Sequence, residues 1–233
     1  MDTKIITNPS EQDIDTLARA LRNGELVSIP TETVYGLGAN GLDPEAMDKI
    51  YAAKGRPSDN PLILHVPNSE SIKPLVTEIS ATAQALMDAF WPGPLTITLP
   101  KSDLVPDRAT GGLSRVALRC PDHKVCHALL ERAGVPVAAP SANISGRPSP
   151  TTAQDVYHDM KGRISYILDA GPCTIGVEST VVEVHDDKVI ILRPGGITKA
   201  QLEGVVSTVE YDTALVNATT CLLYTSPSPR DRG

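Results

Sequence analysis

The chain has 233 residues, 41% of them apolar and 3% aromatic, with 21 Lys and Arg against 28 Asp and Glu for a net charge of −7. That apolar content suffices for a packed core and excludes global disorder, and the length suits one sizeable domain or a domain with an appendage. The acidic balance argues against a general polyanion binder, and the scarcity of aromatics against an open stacking platform for single-stranded nucleic acid.

Cys120, Cys126, Cys173 and Cys221 form no CxxC pair and no regular framework. They read as reduced, mostly buried thiols. The opening "MDTKIITNPS" lacks the pattern of a secretory signal, and no apolar run approaches the ~18 residues a membrane helix needs. The expectation is a soluble cytoplasmic protein with no membrane contact.

Ser10 precedes "EQDIDTLARALRN", where Ile14, Leu17, Ala18 and Leu21 fall at helical spacing and Gly24 supplies the stop. "ELVSIP" then reads as a strand. Asp43-Pro44 opens a second helix, a cap followed by proline at the first helical position, and Gly55 closes it. "PLILHV" and "PLTITLP" are strand-like, with the helical "TEISATAQALMDAF" between them.

"RVALRC", "VPVAAP", "ISYILDA", "STVVEV" and "KVIILRP" continue as strands. "DHKVCHALLERAG", "TTAQDVYHDMKG" and "TKAQLEGVV" are helical, the last opened by a Thr198–Gln201 capping box. About eight strands and about six helices predict an α/β (α+β) domain with a largely covered sheet. The short spacing of the last strands implies an antiparallel section, so the sheet is mixed. The tail 221–233, "CLLYTSPSPRDRG", has no periodicity and looks like a translated sequencing adapter, so the natural sequence is expected to end near Thr219 or Thr220.

"GLGANG" sets Gly36, Gly38 and Gly41 in the G-x-G-x-x-G spacing of a dinucleotide site. The following helix, however, starts only at the Asp43-Pro44 cap, and no acidic residue falls at a strand end some 20 positions on. The glycines read instead as permitting a tight turn.

Polar residues gather in the loops beside strands: Thr31, Glu32, Thr33 and Tyr35; Lys54, Arg56 and Asn60, with His65 beyond; Arg115 and Arg119; Ser141, Asn143, Arg147 and Ser149; Glu178, Ser179 and Thr180; Arg193. Taken singly, these are caps, turns and solvated cations, and Lys54 and Arg56 would simply complement the negative end of a helix dipole. Taken together, they suggest a polyphosphate held by charge-assisted contacts at strand ends. There is no Walker-type loop, no G-x-S-x-G elbow and no cysteine in an evident nucleophile setting. His123, Cys126 and His127 share one segment with metal-ligand spacing, but HExxH and a fourth ligand are absent, so a capped surface helix is the reading and no metal ligand is assigned.

"PTETVYGLG", "AKGRPSDNPLILHV", "WPGPLTITLP", "VALRCPDH", "APSANISGRPSPTTAQDV", "GVESTVVEV" and "ILRPGGIT" together resemble the YrdC-domain family of L-threonylcarbamoyladenylate synthases, in collinear order over about residues 10–206. The resemblance implies a twisted mixed β-sheet flanked by helices around an open cleft. It implies a nucleotidyltransferase that converts L-threonine, bicarbonate and ATP, with Mg²⁺, to threonylcarbamoyl-AMP and pyrophosphate. That product serves threonylcarbamoyladenosine modification of tRNA, through a partner transferase and at most weak contact with tRNA itself.

By the same resemblance, Lys54 and Arg56 are the catalytic holders of the triphosphate. Thr33, His65, Arg119, Ala139 (through its backbone) and Ser179 hold threonine. Arg56, Asn60, Arg115 (through its backbone), Ser141, Asn143, Ser149 and Arg193 serve ATP. The expected division is a catalytic domain over 1–207, the start of a linker to a second domain over 208–220, and the foreign tail. A carbamoyl-adenylating domain and a non-catalytic RNA-binding module are the competing readings.

Overall fold

The computed structural model describes residues 2–55 and 60–215. Arg56, the end of the expected linker (216–220) and the whole adapter-like tail therefore lie outside the described residues. In chain order the elements are β1 (Lys4–Thr7), α1 (Glu11–Arg22), β2 (Val27–Ile29), β3 (Gly36–Asn40), α2 (Pro44–Lys54) and β4 (Ile63–His65). A 3₁₀ turn (Glu70–Leu75), α3 (Ala81–Phe90), β5 (Leu95–Pro100), α4 (Asp107–Thr110), β6 (Arg115–Arg119) and α5 (Lys124–Ala133) follow. The chain then runs through β7 (Val137–Ala138), α6 (Ala153–Met160), β8 (Tyr166–Asp169), β9 (Thr180–Val184), β10 (Val189–Arg193), α7 (Lys199–Glu203) and β11 (Val209–Tyr211).

The strands form one eleven-stranded sheet in the order β1-β8-β2-β3-β7-β4-β6-β5-β9-β10-β11. Parallel pairs (β4 with β6, β5 with β9) alternate with antiparallel ones (β7 with β4, β5 with β6, β10 with β9), so the sheet is mixed throughout. Period-two alternation sorts the two faces. Val27, Ile29, Val137 and Leu168 pack with Ile14, Leu17 and Leu21 of α1 and Leu129 and Leu130 of α5, while Ala138 and Ile167 join Met47 and Ile50 of α2 and Val156 and Met160 of α6. Both faces are covered, as near-continuous apolar strands require.

Local capping sets the helix boundaries. Ser10 accepts from the Asp13 amide and Asp13 returns the bond, Asp43 accepts from Glu45 ahead of Pro44, and Thr198 and Gln201 close their reciprocal pair. α2 ends at Gly55, whose φ of 63° is the left-handed conformation glycine tolerates. Among the described residues no helix is long and apolar enough to cross a membrane.

The glycine-rich "GLGANG" run corrects the turn expectation. Residues 36–40 are strand β3, paired with β2 and β7 in the middle of the sheet. The glycines are there for closeness: a Cβ on Gly38 would stand 2.9 Å from the Val27 carbonyl oxygen, and one on Gly41 2.7 Å from Leu64 Cδ2. Three strands, β1, β3 and β11, thus exceed the sequence expectation. β11 pairs in parallel with β10, so the sheet continues into residues assigned by sequence to a linker.

Candidate active site

A hollow of about 280 Å³ opens on one side of the sheet. β4 and β6 run in register with His65 opposite Arg119, and the two-residue period sets Ile63 and His65 on the same face. The loop after β2 adds Thr31 and Thr33, the turn after β7 adds Ala139 and Ser141, and Glu178, Ser179 and Arg193 come from the β9–β10 side. The ligand-facing groups thus spread across a sheet face and its loops, rather than only the strand ends expected from sequence.

Of the predicted site residues, Thr33, His65, Arg119, Ala139, Ser141, Ser179 and Arg193 line this hollow together. Lys54, Asn60, Asn143, Ser149 and the Arg115 side chain do not. Arg115 donates to the Thr98 and Val184 carbonyl oxygens at 2.8 and 2.5 Å and borders a separate small cavity with Glu78 and Asp186. The Asn60 carbonyl accepts from the Tyr51 hydroxyl at 2.6 Å.

Lys54 is 2% exposed, and its ammonium donates to the Ser141 carbonyl oxygen and, at 2.9 Å, to that of Asn143. Asn143 Nδ2 in turn donates to the carbonyl oxygens of Ile144 and Arg147, and Asp159 accepts from the Ile144 amide and the Arg147 guanidinium. The Ser145 amide donates to the Lys54 carbonyl. Lys54 therefore clamps the end of α2 to the "SAN" turn that presents Ser141.

Arg119 is 4% exposed. Its Nη1 donates to Thr33 Oγ1 at 2.9 Å and its Nε to the Gly93 carbonyl at 3.3 Å. Nη2 lies 2.6 Å from Glu32 Oε1, an ion pair by distance, yet neither that nitrogen nor either Glu32 oxygen has an aligned hydrogen-bond partner. A buried guanidinium in the wall of a hollow offers an incoming carboxylate charge-assisted contacts.

His65 Nδ1 lies 3.2 Å from the Ile63 carbonyl, and the ring also meets the Val137 backbone. Burial, reinforced by the Arg119 charge, pushes its pKa down to about 3. The ring is neutral at physiological pH.

Ser179 and Arg193 form the opposite wall. Ser179 Oγ is 2.8 Å from the buried Thr96 hydroxyl and accepts from Arg193 Nη2 at 3.1 Å, while Arg193 also donates to the Ser179 carbonyl. Glu178 bridges outward, accepting from Ser149 Oγ at 2.9 Å and pairing with Arg193 Nη1 at 2.9 Å. Glu32, Thr96 and Glu178 had no assigned role from sequence. Thr96 looks like any alternating strand threonine, and the two glutamates reveal their partners only in the fold.

Among the described residues no group of three or more His, Cys, Asp and Glu could hold a metal ion. His123 Nδ1 accepts from the Cys126 amide and caps α5, while the Cys126 side chain is buried between α5 and α1.

The family model Sua5_yciO_yrdC, described as telomere recombination, matches residues 19–195. The threonylcarbamoyl-AMP synthase of Bacillus subtilis is 51% identical over 207 residues, covering 88% of this chain and 60% of the relative. The synthase of Pyrococcus abyssi is 49% identical, with the same shares of 88% and 60%. A crystal structure of P. abyssi Sua5 complexed with L-threonine superposes with a TM-score of 0.88 at 44% identity, over 98% of this chain and 65% of that one. The chain thus spans about 60% of the length of these curated relatives. With three quarters of its length matched by the model and with this sheet and hollow, the chain belongs to the Sua5/YciO/YrdC family.

Proposed function

We propose that this chain carries the catalytic domain of an L-threonylcarbamoyladenylate synthase, converting L-threonine, bicarbonate and ATP to threonylcarbamoyl-AMP and pyrophosphate. The observation that carries the reading is the buried Arg119 lining the same small hollow as Arg193 and Ser179. Two fixed cations in one hollow suit a carboxylate and a phosphate chain side by side. The relatives named threonylcarbamoyl-AMP synthase, and the P. abyssi structure complexed with L-threonine, support the same substrate.

In this reading Arg119 receives the threonine carboxylate, with Thr33, neutral His65, the Ala139 backbone and the Ser179 hydroxyl around the rest of the amino acid. The amine takes up carbon dioxide derived from bicarbonate, losing a proton and becoming a carbamate. A carbamate oxygen attacks the α-phosphorus of ATP, the bond to the bridging oxygen breaks, and pyrophosphate leaves. No protein nucleophile enters. The chain's task is to hold two reactants in line and to offset charge growing on the leaving group.

Arg193, Ser141, Ser149, Asn143, Asn60 and the Arg115 backbone form the ATP side, and Lys54 and Arg56 serve the triphosphate. Lys54 contributes there by setting the "SAN" turn. Mg²⁺ enters as the ATP salt. Glu178 is the one carboxylate lining the hollow among the described residues, and it is engaged with Arg193 and Ser149. The ion would be held mainly by phosphate and water oxygens. The product passes to a transferase of tRNA modification in the cytoplasm, with at most weak contact to tRNA.

The test is pyrophosphate release from ATP, measured complete and with threonine or bicarbonate omitted. Release that requires both is the expected result. Release that needs neither contradicts the proposal.

A further inference from the structure

We infer that Glu32 is a positioning residue for Arg119, a buried counter-ion that holds the guanidinium in the wall of the hollow and makes it selective for a ligand carboxylate. The inference rests on the proposed function in taking Arg119 as the group that receives the amino acid's carboxylate.

Glu32 does not line the hollow; it stands behind Arg119, 5% exposed against 4%. Among the described residues it is the only carboxylate within ion-pair distance of that guanidinium, at 2.6 Å from Nη2. The other contacts of Arg119, the Thr33 hydroxyl and the Gly93 carbonyl, are neutral. Glu32 is itself anchored: the Ile175 amide donates to its carbonyl at 2.8 Å, and the Thr31 hydroxyl pins the same turn through the Thr33 and Val34 amides. Among the described residues no other cation lies within ion-pair distance of it. Cys120 beside it is a neutral thiol, pushed up to about 11 by burial first and by the Glu32 charge second.

A buried carboxylate with one cationic neighbour and no aligned hydrogen bond is costly to keep. Its placement has a use. The close approach balances the charge of Arg119 from a residue that does not itself line the hollow, so the guanidinium is held in the wall and the hollow stays open to a ligand carboxylate. Without Glu32 the guanidinium is an uncompensated buried charge, free to turn toward other acceptors or water. The loss then falls on the carboxylate-specific part of ligand binding.

The experiment measures binding of L-threonine, of L-threoninol (which lacks the carboxylate) and of a non-hydrolysable ATP analogue by calorimetry, for wild type, Glu32→Gln and Glu32→Asp. The expected result for Glu32→Gln is at least a tenfold loss in the preference for L-threonine over L-threoninol, with the nucleotide bound within about twofold of wild type. Glu32→Asp keeps the charge on a shorter arm and recovers part of the preference, and it carries the test alone should the glutamine variant fail to fold. An unchanged preference in the folded variants, or equal weakening of all three ligands, overturns the inference while wild-type threonine binding stands. A wild-type protein that binds no L-threonine overturns the proposed function and this inference with it.

Discussion

Gly195→Ala is a one-carbon change with a calculable consequence. A Cβ at position 195 would stand 2.3 Å from the Glu178 carbonyl oxygen and 2.5 Å from both the Ser179 carbonyl carbon and the Thr180 amide nitrogen. All three are backbone atoms, so no side chain can swing aside. Restoring ordinary contact needs the two segments to part by about 1 Å, where overpacking costs about 1–3 kcal/mol. The segments are stitched by the Gly196 amide to the Glu178 carbonyl and by the Thr180 hydroxyl to Ile197.

They also carry Glu178, Ser179 and Arg193, so the displacement moves one wall of the hollow relative to Arg119. A shift of about 1 Å in a positioning group costs on the order of a hundredfold in turnover. Thermal unfolding should show a midpoint lower by about 2–4 °C per kcal/mol lost. Threonine-dependent pyrophosphate release should fall about a hundredfold. A Gly195→Ala protein with wild-type melting and wild-type kcat/KM would refute the reasoning.

Lys54→Met removes the donor that the Ser141 and Asn143 carbonyls share, so it should cost about 1–3 kcal/mol in urea unfolding as well as depress turnover steeply; normal stability with normal turnover contradicts the clamp. Ser179→Ala deletes the hydroxyl between Thr96 and Arg193 and should raise the KM for threonine about tenfold, with that for ATP little changed, in steady-state assays. His65 stays neutral in the fold down to about pH 3, whereas an unfolded histidine takes up its proton near 6.5. Its contribution is therefore complete above pH 6.5 and is lost as pH falls toward 3, at up to about 1.4 kcal/mol per pH unit. Urea midpoints for His65→Gln should decline less steeply from pH 7 to 5 than those of wild type; parallel profiles would remove His65 from the account.

What could be read from the chain follows the range of the interactions involved. Ser10, Asp43 and Thr198 announce helices because a cap acts on amides two or three residues away. The strand "GLGAN" carries no such signal: nothing local favours extended backbone there, and its place in the sheet comes from packing against Val27, Val137 and Leu64. The same boundary governs the site. The polar loops that contribute Thr33, Ser141, Ser179 and Arg193 stand out as clusters beside apolar runs, and the fold sets these four around one hollow. Lys54 was visible as a cation at a helix end, but its engagement with the "SAN" turn depends on a segment far along the chain. The Glu32–Arg119 pair was hidden for the same reason, since only the folding of the β2–β3 loop over the sheet brings Glu32 and Thr33 to Arg119 on β6.

The central claim is that one hollow holds an amino acid on Arg119 beside a nucleotide on Arg193. A crystal structure with L-threonine and a non-hydrolysable ATP analogue tests it most directly. The account predicts the threonine carboxylate within hydrogen-bond distance of the Arg119 guanidinium and the nucleotide's phosphates on the Arg193 side of the same hollow. Threonine bound away from Arg119, or phosphates bound away from Arg193, would contradict it.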